Sequence, residues 1–202
     1  MTRLVAIYGS PRRKGNTAAL LARAVAGARE AGAEVTEFVL RDLKISPCLE
    51  IYQCKSDDGR CAIRDDFQAV SEAMLAADGL MLASPIFFYA VGAHVKALMD
   101  RCQSLWVKKY WIDETPFREW EVKRLGLFIS VGATRGGKLF DGALLTVKYF
   151  MDTLDMKLWR SLLYRELDLA GEVEAHPEYL DEATAAGREF AAACRELAAG
   201  RG

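Results

Sequence analysis

Short apolar runs alternate along the chain with longer segments in which apolar residues recur every three or four positions. The short runs are typical of buried strands, and the longer segments are typical of helices that pack on a sheet. Predicted strands are Leu4–Tyr8, Glu34–Leu40, Gly79–Ala83, Leu125–Val131 and Met156–Tyr164. Predicted helices are Thr17–Ala31, Asp65–Ala77, Gly92–Gln103, Leu139–Leu154 and Leu180–Ala199. Strands that alternate with helices indicate an α/β fold, a parallel sheet with helices on both faces.

The composition narrows the class of protein. The 202 residues suffice for one domain over 1–202, without an internal repeat. A net charge of −1 gives no support for a nucleic-acid or membrane partner, and no apolar run approaches the ~20 residues of a membrane span. Thr2 and Arg3 lead straight into a strand, without a visible secretory signal. Five cysteines, an odd number, favour a reducing cytoplasm over a disulfide framework.

The loop from Gly9 to Thr17 follows the first strand and opens a helix. A strand, a loop and a helix in this order point backbone N–H groups and a helix N-terminus at one spot, which suits a phosphate. Ser10, Asn16 and Thr17 offer hydroxyl and amide groups, and Arg12, Arg13 and Lys14 offer positive charge. Gly9 and Gly15 allow tight backbone turns, and Gly15 is also a candidate cofactor-binding residue. The alternative is a plain polar turn with a helix cap at Asn16 or Thr17.

Two commoner phosphate loops do not match this segment. A nucleotide-hydrolysing loop has four residues between its glycines and then Lys-Ser/Thr. Here five residues separate Gly9 from Gly15, and Asn16 stands at the lysine position. A dinucleotide fingerprint requires Gly-x-Gly-x-x-Gly, but position 11 is Pro and position 14 is Lys.

Two further loops are expected to join the first, because ligands of parallel sheets lie at the carboxyl ends of the strands. The segment Ser84–Val91 is predicted as a loop whose backbone N–H groups and aromatic faces suit a flat ring. Gly132–Lys138 is glycine-rich and lets its backbone approach a ligand closely. The alternatives are an aromatic plug over the core and a plain turn. A phosphate at one end and a planar ring at the other indicate a mononucleotide such as FMN. The ring candidates are Ser84, Pro85, Ile86, Phe87, Phe88, Gly132, Ala133, Thr134, Arg135 and Gly136.

The motifs Gly9-Ser10-Pro11-Arg12, Gly15-Asn16-Thr17, Ser84-Pro85-Ile86-Phe87 and Lys96-Ala97-Leu98-Met99-Asp100-Arg101 together resemble the flavodoxin-like NAD(P)H-dependent FMN reductases. The resemblance runs from about residue 3 to about residue 165. It implies a flavodoxin-like three-layer sandwich with a five-stranded parallel sheet and noncovalent FMN. It also places the FMN phosphate on Ser10, Arg12, Asn16 and Thr17. Pro85 to Phe88 would line the isoalloxazine, and Gly132–Gly137 would border its other side. Lys96 matches the family's lysine, but its spacing to Asp100 favours a surface ion pair.

A cysteine-bearing loop over 41–64 resembles the corresponding segment of iron–sulfur flavoproteins. Those proteins are expected to place four cysteines here, whereas this chain has Cys48, Ile51, Cys54 and Cys61, with Ile51 at the second ligand position. A [4Fe–4S] cluster normally takes four thiolates, so an intact iron–sulfur cluster is not expected. Three cysteines could hold zinc with an outside ligand. The other alternative is that they are reduced, partly buried loop residues.

The stretch 104–123 is rich in aromatic residues and is predicted to be irregular. Its aromatic residues are Trp106, Tyr110, Trp111, Phe117 and Trp120. Aromatic residues at this density are typical of a contact surface. Because members of the resembled family are usually dimers, we expect a homodimer or homotetramer that uses this stretch. The alternative is that the aromatic side chains cover the edge of the domain's own core.

The resemblance implies an FMN-dependent oxidoreductase that takes electrons from NAD(P)H and passes them to a small-molecule acceptor such as a flavin or a quinone. No side chain is identified as a required acid or base, so no catalytic residue is named. One alternative is an electron-transfer flavoprotein that does not itself oxidise NAD(P)H, and another is a sensing module without redox turnover. Carriers of this fold tend to be strongly acidic, and the near-neutral charge favours the enzyme.

Overall fold

The sheet has the strand order expected of a flavodoxin-like protein. The computed structural model describes residues 1–116 and 122–200. Over these residues five parallel strands lie in the order β2-β1-β3-β5-β6, and a two-residue strand, β4, pairs antiparallel with the end of β3. The strands are β1 (Arg3–Tyr8), β2 (Glu34–Val39), β3 (Gly79–Phe87), β4 (Ala90–Val91), β5 (Arg124–Gly132) and β6 (Met156–Arg165). The predicted parallel sheet is confirmed.

Helices cover both faces of the sheet, which gives the three layers that the sequence predicts. They are α1 (Asn16–Glu30), α2 (Phe67–Ala76), α3 (Ala93–Arg101), α4 (Gln103–Val107), α5 (Asp141–Thr153) and α6 (Pro177–Ala199). Apolar residues of α1 and α6 form one core with the sheet, and those of α2, α3 and α5 form the other. Gly27 and Gly187 let α1 and α6 pack closely, since a Cβ on Gly187 would lie 1.9 Å from the carbonyl oxygen of Ala24.

Three predicted boundaries are wrong in ways that bear on function. The segment predicted as a loop from Ser84 to Val91 is mostly strand, because β3 runs on to Phe87 and turns back into β4. Helix α1 has its N-cap at Gly15, not at Asn16 or Thr17, and no side chain caps it. The aromatic stretch is helical rather than irregular from 104 to 112, where α4 continues into a π-helical turn at Lys108–Ile112. Its Phe117 and Trp120 lie outside the described residues.

The cysteine-bearing loop contains only two short 3₁₀ turns, Leu40–Asp42 and Gln53–Lys55. Within the described part of the chain, no helix is long and apolar enough to cross a membrane.

Candidate functional site

The loops after β1, β3 and β5 meet at one cavity at the carboxyl edge of the sheet, as the sequence predicts. The cavity has a volume of about 90 Å³. Its lining residues are Ser10, Pro11, Arg12, Gly15, Asn16, Thr17, Pro85, Ile86, Phe87, Val131, Gly132, Ala133, Leu167 and Asp168. Pockets that bury a whole ligand usually measure roughly 300–1,000 Å³. A cavity of this size has room for only part of a molecule as large as a mononucleotide.

The N-terminus of α1 is open toward this cavity. Gly15 caps the helix without a side-chain hydrogen bond, and the first N–H groups of a helix have no intrahelical partner. Thr17 is buried and lines the cavity, and its hydroxyl has no hydrogen-bond partner among residues 1–116 and 122–200. The Ser10 hydroxyl oxygen accepts from the Arg12 N–H at 3.1 Å, so its own proton stays available. These groups form an anion site of the kind that a phosphate occupies.

Gly9 is required by close packing rather than by the ligand. A Cβ at this position would lie 2.1 Å from Cγ2 of Val95 and 2.6 Å from the carbonyl oxygen of Ala83. The Gly9 N–H donates to that same carbonyl oxygen at 2.8 Å. The loop from Gly9 to Thr17 (the phosphate loop) therefore leaves β1 in contact with the neighbouring strand β3, which holds this loop and the end of β3 together.

The side chain of Asn16 serves the protein's own backbone. Its Nδ2 donates to the carbonyl oxygen of Leu169 at 2.9 Å, and its Oδ1 accepts from the N–H groups of Gly171 and Val173. Arg12 contacts the same segment, since its Nη1 donates to the carbonyl oxygen of Asp168 at 2.8 Å. The Asn16 side chain thus anchors the segment after β6, and its backbone N–H remains the group that faces an anion.

The segment after β6 is a part of the cavity wall that is absent from the residues predicted from the sequence. Leu167 and Asp168 line the cavity, although only the loops after three other strands were expected there. The signal was present, because β6 is a parallel strand and its carboxyl end reaches the same edge.

The end of β3 and the short strand β4 form a hairpin that carries aromatic side chains at its tip. Phe88 and Tyr89 are the two loop residues, and both have left-handed backbones, with φ of 50° and 63°. Such a turn favours Asn-Gly, and non-glycine residues held there store strain. Phe87 lines the cavity and is half exposed, whereas Phe88 is fully exposed and does not line it. The hairpin therefore holds aromatic faces in solvent beside the cavity, at a cost in backbone energy.

Four other predicted residues lie outside the cavity lining. Ser84 is fully buried, and its hydroxyl oxygen accepts from the Gly92 N–H at 3.0 Å, which fixes the hairpin to the start of α3. Arg135 points to the surface, where it forms an ion pair with Glu166. Thr134 and Gly136 follow Ala133 along the same loop but do not reach the cavity wall. Their role at a ligand stays a prediction.

The cavity is poor in groups that could move protons. Arg12 and Asp168 are the ionisable residues among its lining. Arg12 is permanently charged, and the Asp168 backbone is held by Glu172, whose carboxylate accepts from the Asp168 N–H at 2.6 Å. Lys96 does not line the cavity, and its predicted ion pair with Asp100 is confirmed, at 2.6 Å. The arrangement is suited to binding and orienting a ligand rather than to acid–base chemistry.

The three cysteines of the loop lie around a different and larger cavity, of about 480 Å³. Cys48, Cys54 and Cys61 are free and half-buried, and Ile51 contributes an apolar side chain where a fourth thiolate would be needed. Burial raises the pKa of the Cys54 thiol, and the neighbouring Cys61 and Cys48 add to this effect. Among the described residues no group of three or more His, Cys, Asp or Glu side chains is placed to hold a metal ion. The donor set does not fit a four-thiolate cluster.

Solved structures of a flavone reductase and of a quinone oxidoreductase share this fold. A flavone reductase matches 97% of this chain and 64% of its own length, with a TM-score of 0.70 and 21% identity. An NAD(P)H:quinone oxidoreductase from Methanothermobacter marburgensis matches 92% of this chain and 94% of its own, with a TM-score of 0.71 and 16% identity. At sequence identities of 21% and 16%, these similarities show a shared fold and nothing about activity.

Curated relatives are closer in sequence. An iron–sulfur flavoprotein of Methanocaldococcus jannaschii is 36% identical over 136 residues, which is 67% of this chain and 64% of the relative. One of Archaeoglobus fulgidus is 37% identical over 134 residues, 66% of this chain and 64% of the relative. The matched region thus spans slightly less than two thirds of each relative.

A sequence match over a longer part of the chain establishes its family. The sequence model of the NADPH-dependent FMN reductases matches residues 2–161. This range includes β1, the phosphate loop, the aromatic hairpin and the loop after β5, which are the elements that build the cavity. The chain therefore belongs to the NADPH-dependent FMN reductase family.

Proposed function

We propose that this protein is an FMN-dependent oxidoreductase that passes electrons from NAD(P)H through noncovalent FMN to a small acceptor, such as a flavin or a quinone. The observation that carries the proposal is the open N-terminus of α1. It lies in a cavity shared with Phe87, Gly132 and the Thr17 hydroxyl, which has no hydrogen-bond partner in the described part of the chain. An anion site and an aromatic wall in one cavity suit a molecule with a phosphate at one end and a planar ring at the other.

The FMN phosphate would bind at the phosphate loop. The backbone N–H groups of Asn16 and Thr17, the hydroxyls of Ser10 and Thr17, and the positive end of the α1 dipole all favour a dianion there. Arg12 lines the same cavity and adds a permanent positive charge. FAD has no terminal phosphate to offer at this position, so we favour FMN as the cofactor.

The isoalloxazine would lie between the end of β3 and the loop after β5. Pro85, Ile86 and Phe87 line the cavity from the end of β3, and Gly132 and Ala133 line it from the end of β5 and the loop after it. When bound, the flavin supplies the chemistry of hydride acceptance and onward electron transfer. The chain contributes binding, orientation and backbone N–H groups that can stabilise negative charge on the ring. No side chain is assigned as a general acid or base.

The cofactor assignment is tested by releasing the flavin from purified protein and separating it by chromatography. We expect FMN. Thr17→Ala should weaken FMN binding by at least ~1 kcal/mol, since it removes one charge-assisted hydrogen bond. Thr146→Ala is the matched control, because its hydroxyl donates to the Gly142 carbonyl oxygen on its own helix α5 and it does not line the cavity. Recovery of FAD alone, or no flavin after reconstitution, would contradict the proposal.

The competing function is electron transfer without oxidation of NAD(P)H by this protein. The relatives' description as iron–sulfur flavoproteins is the observation that favours this alternative. Anaerobic titration separates the two functions, because an NAD(P)H oxidoreductase bleaches its flavin absorbance with NADH or NADPH. A carrier would be bleached by dithionite and not by either nicotinamide. The net charge of −1 supports the enzyme, because the resemblance to flavodoxins implies that carriers of this fold tend to be strongly acidic.

A further inference from the structure

The cavity under the cysteine-bearing loop is large enough to hold a small organic molecule. Its volume of about 480 Å³ falls within the range of roughly 300–1,000 Å³ that is typical of ligand pockets. It lies between the loop and the helices α3 and α4, away from the cavity of the phosphate loop, and the two cavities share no lining residue. The cavity next to the three thiols is therefore separate from the cavity of the phosphate loop.

The mouth of this cavity presents apolar and aromatic side chains to solvent. Leu49, Ile51, Tyr52 and Trp111 all line it and are each more than half exposed. Large apolar side chains clustered at a cavity mouth mark a surface that a ligand or partner covers. The two aromatic rings add flat faces on which a planar molecule can stack.

A single ammonium group lies between the two rings. Lys55 Nζ is 4.5 Å from the ring centroid of Tyr52 and 4.1 Å from that of Trp111. No carboxylate in the described parts of the chain forms an ion pair with Lys55. The rings hold the cation in place while its charge remains uncompensated, which suits an anionic oxygen of a ligand.

The other charges that line the cavity are largely compensated by the protein. Arg101 is paired with Asp65 at 2.7 Å, and Asp100 is paired with Lys96. Glu50 is exposed on the rim and opposes an anion. Lys55 and Glu50 therefore determine which ligand charge is bound best. Lys55 favours an anionic ligand, and Glu50 disfavours one.

The cavity walls are held in place before any ligand arrives. Arg101 is fully buried and donates to the carbonyl oxygens of Ser46 and Ile63, near the two ends of the cysteine-bearing loop. Its Nε also donates to Cys61 Sγ at 3.3 Å. Between these anchors, Glu50 and Tyr52 have left-handed backbones, with φ of 49° and 62°. Strained residues of this kind persist only where the surrounding structure fixes them, and they cluster at ligand sites.

We propose that this cavity is a second ligand site, one that binds a planar aromatic molecule carrying an acidic group. The ring would stack at Tyr52 and Trp111, with its acidic group on Lys55 and its apolar edge against Ile51. Ile51 stands where the resembled proteins have a cluster-ligating cysteine, and here it would be part of the cavity wall that contacts the organic ligand. The proposal does not depend on the proposed redox function.

The test uses the FMN-saturated protein, so that the flavin site is blocked, and isothermal titration calorimetry with two probes of equal ring size. Naphthalene-2-sulfonate carries a negative charge and 2-naphthol does not. We expect Lys55→Gln to weaken naphthalene-2-sulfonate binding about fivefold, the size of one partly exposed ion pair, and to change 2-naphthol binding much less. Glu50→Gln should tighten sulfonate binding. Lys157→Gln, on the exposed part of β6, is the matched control and should have no effect.

Three results would overturn the proposal. The first is equal sulfonate affinity in wild type and Lys55→Gln. The second is competition between the sulfonate and FMN, which would place the probe at the flavin site. The third is stoichiometric iron and acid-labile sulfide in the native protein, which would show that a cluster fills the cavity. None of these depends on whether the protein oxidises NAD(P)H.

Discussion

The side-chain oxygen of Asn16 accepts a hydrogen bond from the backbone N–H of Val173 at 3.2 Å, and Val173 is fully buried. This bond connects the first residue of α1 with a turn that lies 157 positions later in the chain. Asn16, one of the residues that the resemblance places at the FMN phosphate, therefore also holds the protein's own backbone. Effects of substitution at Asn16 on flavin binding and on stability must be measured separately.

Asn16→Ala should destabilise the apoprotein by about 1–3 kcal/mol, because the buried Val173 N–H loses its partner. Thr17→Ala removes no hydrogen bond within the described chain and should change apoprotein stability far less, while it weakens FMN binding. Urea unfolding of each apoprotein measures its unfolding free energy, and FMN titration of each variant measures its affinity for FMN. Equal loss of stability in the two variants would show that Asn16 has no special structural role.

The ion pair between Arg101 and Asp65 should make stability depend on pH. Burial alone would raise the pKa of Asp65, but hydrogen bonds from Arg101 and from the N–H groups of Ser46 and Phe67 outweigh it and hold the pKa below its usual value. A carboxyl whose pKa is lower in the folded state stabilises the protein above its unfolded pKa of about 3.9. That stability is lost as the pH falls through the lower, folded pKa. Asp65→Asn should remove this part of the acid dependence in urea midpoints measured from about pH 6 to about pH 3.

The same ion pair should be costly to break at neutral pH. The side chain of Arg101 is 0% exposed and that of Asp65 is 10% exposed, so Asp65→Asn leaves a buried guanidinium without a counter-charge. We expect a loss of about 3 kcal/mol in unfolding free energy. The control is Asp100→Asn, which breaks the exposed i,i+4 pair with Lys96 and should cost under about 0.5 kcal/mol. A similar cost for both substitutions would rule out the anchoring role of Arg101.

The sheet and most of the cavity lining can be predicted from the sequence, because both depend on patterns within short segments of the chain. Apolar runs and helical spacing locate β1, β3 and β5, and the rule that ligands bind at the carboxyl ends of parallel strands brings their loops together. Ten of the fifteen predicted cofactor-binding residues line the cavity: Ser10, Arg12, Gly15, Asn16, Thr17, Pro85, Ile86, Phe87, Gly132 and Ala133. Whether they contact FMN stays a prediction.

What the sequence could not provide depends on contacts between distant positions. The bonds from Asn16 to the segment after β6 join residues more than 150 positions apart, and no periodicity encodes them. The hairpin at Phe88 and Tyr89 was missed because its turn lacks the Asn-Gly signal that normally identifies it. The helix over 104–112 is a different case, because Trp106 and Tyr110 recur at helical i,i+4 spacing, and α4 and the π-helical turn continue through Ile112.

The strained backbone at the hairpin turn should lower the stability of the protein while it keeps two aromatic side chains beside the cavity. Phe88→Asn combined with Tyr89→Gly supplies residues that tolerate a left-handed backbone and should stabilise the protein by about 1 kcal/mol or more. The same change removes two exposed aromatic faces beside the cavity, and we expect weaker FMN retention or slower NAD(P)H-dependent reduction. Thermal unfolding and flavin titration test the two parts. A variant with improved stability and unchanged flavin chemistry would show that the strained aromatic turn has another purpose.

We expect a homodimer or homotetramer, and the structure suggests a different surface for it than the sequence did. Trp111 is exposed in the aromatic stretch, with Lys55 Nζ 4.1 Å from its ring centroid, and it lines the cavity of the cysteine-bearing loop. On α5, Leu145 and Tyr149 are 58% and 60% exposed at i,i+4 spacing. The hairpin packs against the start of this helix, since a Cβ on Gly142 would lie 2.7 Å from the Tyr89 carbonyl oxygen.

Tyr149→Ala should therefore raise the monomer fraction in analytical ultracentrifugation, with a cost of about 2 kcal/mol if the ring is a central anchor. Trp111→Ala should have little effect on assembly. The reverse result would assign the interface to the aromatic stretch, as the sequence suggests. A wild-type protein that is monomeric at micromolar concentration would refute both surfaces.

The last prediction concerns residue 51. We expect the native protein to lack an intact four-iron cluster, because Ile51 cannot supply the thiolate that a four-cysteine site needs. Ile51→Cys restores that donor beside the half-buried Cys48, Cys54 and Cys61. Anaerobic reconstitution should then give higher iron and sulfide occupancy in the variant than in wild type, with broad visible absorbance beyond that of the flavin. Ile51→Ser is the matched control, since it opens the same space without a thiol. A gain of iron in the serine variant equal to that in the cysteine variant would show that the thiolate at 51 is not the missing ligand. Four irons per chain in purified wild type would show that another group already replaces it.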